Sequence, residues 1–154
     1  VAMGQKIDAR LLAGQTPEQV QALTTSLQAL AYRIRELVEA RKTPQNDLLV
    51  AAVIDDMRDW RMRMQKQFRI WADHPDRAVA PDADMQNRLA ERISRMEANI
   101  GKARRKIKEG LLSEVDYENF YRYLGALRAT SQAAIYYLQR ARGIDWAQWK
   151  EERF

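Results

Sequence analysis

Thr16-Pro17-Glu18-Gln19 opens the stretch that decides the fold, because Val20, Leu23, Leu27, Leu30, Ile34 and Leu37 come after it in steps of three and four. Thr16 suits an N-cap, Pro17 the first turn, and Gln19 closes a capping box. Apolar residues at that spacing line one side of a helix, which runs to Lys42 before Thr43-Pro44 breaks it. The same period returns three more times. A second segment opens around Asn46-Asp47 and carries Val50, Val53, Met57, Trp60, Met64, Phe68 and Trp71 before Asp73-His74-Pro75. A third starts at Pro81-Asp82-Ala83-Asp84, where acids suit the positive end of the helix dipole. Its row is Met85, Leu89, Ile93 or Arg92, Met96, Ile100, Ala103 and Ile107, and Gly110 ends it. Ser113-Glu114-Val115-Asp116 caps a fourth, with Tyr117, Phe120, Tyr121, Leu124, Leu127, Ser131, Ala134, Ile135, Leu138 and Ala141 before Gly143.

This spacing predicts helices over about 17–42, 47–73, 82–109 and 114–142. Helices that long, joined mostly by short breaks, make one all-α domain, an elongated antiparallel four-helix bundle. At 1.5 Å per residue each helix is roughly 40 Å long. Short flanking helices are expected at both ends. Gln5 to Ala13, with Ile7, Leu11 and Leu12, reads as a turn or two leading in. After Gly143, Asp145 starts a short helix over about 146–152 that puts Trp146 and Trp149 on one side. With Phe154 they form an aromatic ending that either caps the core or docks elsewhere.

Composition agrees. With 46% hydrophobic and 31% charged residues, 154 residues suffice for one real core. Cysteine is absent, so there is no disulfide framework and no thiolate chemistry. No apolar run approaches the roughly 18 residues of a membrane span, and Val1-Ala2-Met3-Gly4 leads into no secretory signal. A chain that opens on Val1 reads as part of a longer gene product.

Little here suggests chemistry. His74 is the single histidine and stands in a loop, so the Glu-x-x-His pairs of a di-iron bundle are missing. Neither a metal nor a cofactor is expected. Asp55, Asp56 and Asp59 cluster on the second segment, yet Arg58, Arg61, Arg63 and Lys66 lie at ion-pairing offsets. Glycines are scattered singly, with no phosphate-cradling loop. The residues point to a protein that is not an enzyme. Met57, Trp60, Met64, Phe68 and Trp71 have the composition of an apolar pocket and the spacing of a bundle core, and core is the simpler reading. Arg88, Arg92, Arg95, Lys102, Arg104, Arg105, Lys106 and Lys108 give the third segment a basic stripe. A solvated face is the plain reading of such a stripe, and among functional readings it suits a partner or an anionic membrane surface. It lacks the interleaved aromatics of a nucleic-acid platform.

Two stretches carry a further likeness. Gly110 to Arg128 and the Ile144-Asp145-Trp146 ending through Phe154 resemble the soluble helical region of FUSC-type bacterial inner-membrane proteins, the fusaric-acid-resistance and aromatic-acid-exporter-like family. The opening Ala2 to Leu11 is similar to the segment just after a membrane helix in such proteins. The resemblance implies a non-enzymatic domain on the cytoplasmic face of the inner membrane, with an assembly, gating or regulatory role. Its partner would be the membrane-embedded part of the same polypeptide. The residues also admit a basic helical nucleic-acid-binding protein, a ligand-sensing bundle, and pairing of the rod with itself.

Overall fold

The computed structural model describes residues 17–73 and 84–142. They form α1 (Pro17–Lys42), α2 (Asp47–Asp73), α3 (Asp84–Lys106) and α4 (Glu114–Arg142). No strand occurs among the described residues. The Thr16 cap, the turns expected before it, the loop containing His74, and the 146–152 helix with Trp146, Trp149 and Phe154 lie outside them.

Local chemistry explains the helix ends. Asn46 caps α2: its Oδ1 accepts from the Leu48 amide at 2.9 Å, and its carbonyl accepts from Leu49 and Val50. A reciprocal box starts α4. The Ser113 amide donates to Asp116 Oδ2 at 2.9 Å, and the Asp116 amide donates to Ser113 Oγ at 3.1 Å. α3 stops at Lys106, three residues short of the expected 109. Beyond it Leu111 N–H bonds the Lys108 carbonyl, in a turn that needs the left-handed φ of 93° at Gly110.

The helices alternate in direction. Thr130 Oγ1 donates to the Arg33 carbonyl at 3.0 Å, while Ala40 and Thr43 share a groove with Arg122 and Gly125, so α1 runs against α4. α2 runs with α4, since Trp60 meets Ser131 and Trp71 meets Tyr137. α3 opposes both, with Arg104 over Tyr117 and Arg92 over Trp60. The result is an up-down-up-down four-helix bundle, with α1 packed against α4 and α2 against α3.

The core is unevenly shared. Leu49, Val53 and Trp60 of α2, Met85, Leu89, Ile93, Met96 and Ile100 of α3, and Tyr117, Phe120, Leu124 and Ile135 of α4 form one buried cluster. Leu30 is the sole buried residue of α1. No Cα of α1 comes within 8 Å of α2 or α3. The row read through Leu23, Leu27, Leu30, Ile34 and Leu37 is therefore split. Leu23, Leu30 and Leu37 are covered to varying degrees, whereas Leu27 and Ile34 stay 50% and 44% exposed. A helix with one neighbour has cover for only half of a wide apolar stripe. Leu49 rather than Val50 leads the buried row of α2, and Tyr121 of α4 points to solvent.

Candidate functional site

The alternation of directions gives the rod two poles. The α1–α2 and α3–α4 turns share one pole, and Pro17, Asp73, Asp84 and Arg142 share the other. The basic stripe of α3 runs between them, and tertiary packing takes it apart. Arg92 is buried. Its Nη1 lies 3.3 Å from both the carbonyl oxygen and Oδ1 of Asp56, and its Nη2 lies 2.6 Å from Asp59 Oδ2. Arg95 Nε donates to Asp56 Oδ1 at 3.0 Å. Arg92 is thereby withdrawn from the surface to hold α3 to α2, and Arg95 joins the same carboxylate from the exposed side. Arg104 faces Glu114 at 3.4 Å and covers the Tyr117 ring at 4.7 Å. Arg88 sits exposed on an early turn of α3.

Of the eight cations of the stripe, four are exposed and without an ion pair to the described residues: Lys102, Arg105, Lys106 and Lys108. All stand near the α3–α4 turn. The Gly110 turn sets Leu111 beside them at 58% exposure, and Val115 is next at 59%. Exposed aliphatics close in the chain to exposed cations suit a surface that is both anionic and partly apolar, although Glu109 and Glu114 stand among them. The apolar half of this basic pole escaped the sequence reading. Its signal was a Gly-Leu-Leu run directly after a basic segment.

The carboxylate cluster resolves into ion pairs. Asp59 accepts from Arg63 Nε at 3.2 Å, the pairing its spacing predicts. The bonds of Asp56 and Asp59 to Arg92 and Arg95 cross from α3, which spacing within α2 could not reveal. Partial desolvation raises the Asp59 pKa, but Arg92 and Arg63 outweigh it and hold the carboxyl below its ordinary 3.8. A depressed folded-state pKa stabilises the fold above the ordinary value, and the contribution is lost as pH falls through the folded one. Arg63→Gln on the exposed side should therefore flatten the loss of Tm below about pH 4. Thermal melts followed by helical circular dichroism measure it, and an unchanged acid slope would remove Arg63 from the explanation.

The apolar candidates sit in the packing. Trp60 is buried and donates from Nε1 to Ser131 Oγ at 2.8 Å. Met57 and Met64 pack against the core cluster, and Trp71 meets Tyr137 edge-on at 5.6 Å. Phe68 is half-buried. A groove of about 780 Å³ lies elsewhere, along the outer side of α1 and α4, where Tyr32, Glu36 and Ala40 face Arg122, Gly125 and Ala129. Within it the hydrogen bond from Tyr32 and the Arg33 guanidinium at 2.9 Å lower the Glu36 pKa, and Glu36 in turn raises that of Tyr32. Both groups are thereby held in the protonation states they already have at neutral pH, which suits neither for proton transfer there.

No family model, characterised protein or solved structure matches this chain. The pole brings together exposed cations, exposed aliphatic side chains and the carboxylates of Glu109 and Glu114, the latter facing Arg104.

Proposed function

We propose that this chain is a non-enzymatic helical domain of a FUSC-type inner-membrane protein. In this reading it stands on the cytoplasmic face and serves assembly, gating or regulation rather than transport itself. One geometric observation carries the reading beside the sequence resemblance: Pro17 and Arg142 leave the bundle at the same pole. A domain whose two ends lie together can be strung beside or between membrane-embedded blocks without disturbing them. The membrane-embedded part of the same polypeptide is then the partner at that pole. The basic pole, at the far end of a rod roughly 40 Å long, is left for a second, anionic contact.

Expression together with its flanking gene sequence tests this. The protein should sediment with inner-membrane vesicles, resist an alkaline carbonate wash, and be cut by protease in inside-out vesicles but not in intact spheroplasts. Recovery in the soluble fraction overturns the reading. For the basic pole, vesicles rich in phosphatidylglycerol should bind the chain and phosphatidylcholine vesicles should not, with binding weakened by salt. Equal retention on duplex DNA would favour a nucleic-acid contact instead.

A further inference from the structure

α1 carries two adjacent apolar rows. Leu23, Leu30 and Leu37 belong to the row that α4 covers. Leu27, Ala31, Ile34 and Val38 form the second, at the four- and three-residue steps of a heptad seam. All four are exposed, Val38 at 51%. The groove residues Tyr32, Glu36 and Thr43 flank the α4-facing row on its other side. The bare row therefore lies on the flank of α1 away from the groove, and no described helix approaches it.

We propose that this row pairs with the same row of a second copy, the two α1 helices lying antiparallel. The seam is self-complementary in that orientation. A two-fold axis passing between Tyr32 and Arg33 sets Leu27 opposite Val38 and Ala31 opposite Ile34, each pair occurring twice. The larger side chain meets the smaller, as knobs meet holes, and residue i contacts j while j contacts i.

Charge selects the orientation. The exposed margin of the row is neutral in its first half, at Gln21, Thr24 and Gln28, and basic in its second at Arg35 and Arg41, while Lys42 is paired with Glu39 at 2.7 Å. A parallel pair puts Arg41 against Arg41 of the second copy inside the seam. The antiparallel pair puts Arg41 against Thr24 and brings Arg35 beside Gln28, whose amide oxygen can accept from the guanidinium. Four apolar layers make a seam shorter than that of a permanent dimer, so association is concentration-dependent. This inference does not rest on the proposed membrane role.

The full chain contains no cysteine, so an introduced one reports alone. Sedimentation should show a monomer–dimer equilibrium that Ile34→Glu abolishes, with helical circular dichroism and Tm unchanged because the residue is exposed. Under mild oxidation a mixture of Leu27→Cys and Val38→Cys chains should give the mixed dimer. Leu27→Cys alone should not cross-link, because its two copies would lie about 16 Å apart along the axis, beyond disulfide reach. A chain that stays monomeric at millimolar concentration overturns the proposal. So does self-cross-linking of each single variant, the mark of a parallel pair, or a row whose substitution changes only vesicle binding.

Discussion

Phe120→Ala is expected to lower the unfolding free energy by about 3–5 kcal/mol in urea denaturation, and Tm by roughly 10 °C. The ring is completely enclosed, in a cluster that includes Leu49 of α2, Met96 and Ile100 of α3, and Leu124 of α4. The cluster it belongs to is built by three helices. Truncation removes the transfer free energy of the ring and leaves a cavity that rigid helix backbones cannot close. Met96 is unbranched and can relax into part of the space, which favours the lower end of the range. Tyr121→Ala makes the internal control, because that neighbour is exposed and should cost no more than about 0.5 kcal/mol. Equal losses at the two positions would mean that the two residues do not differ in burial.

Trp60→Ala should cost a similar about 3–5 kcal/mol, by a different mixture of causes. The indole is nearly buried, its Nε1 donates to Ser131 Oγ at 2.8 Å, and the Arg92 guanidinium lies 6.0 Å from the ring. Its loss leaves a cavity, an unpaired buried hydroxyl, and one side of a buried cation without its aromatic neighbour. Ser131→Ala separates these terms. Alone it strands a buried indole N–H and should cost about 1–3 kcal/mol. In the Trp60→Ala background that N–H no longer exists, so the same change should cost about 1 kcal/mol less. Strict additivity in denaturant melts would show that the hydrogen bond contributes nothing.

Most helix boundaries were legible because their causes are local. Pro17 at a first turn, Asn46 at a cap, and the Ser113/Asp116 box act within four residues of themselves. The exception is the end of α3, where the last turn gives way to a turn organised around Gly110. The candidate site was half legible. Eight cations could be counted along the third segment, but three of them, Arg92, Arg95 and Arg104, are paired with carboxylates of other helices. The row through Leu89 and Met96 offered Arg92 as the alternative to Ile93, but a one-helix periodicity cannot say which carboxylates of another helix such a cation meets. The aliphatic half of the basic pole went unread because Leu111 and Val115 look like ordinary bundle residues until the turn exposes them.

By itself, then, the sequence determined four amphipathic helices, their caps and an all-α fold, since hydrogen bonds and side-chain steps of three and four residues encode these. Only the tertiary structure decided which apolar rows are covered, which cations are free, and that Pro17 and Arg142 share a pole. Those outcomes rest on contacts between residues far apart in the chain: 36 positions for Arg92 and Asp56, 71 for Trp60 and Ser131, 97 for Thr130 and Arg33. The second row of α1 shows the difference most plainly. Its pattern promises a buried face, and it is bare because α4 is the one described helix close enough to cover α1.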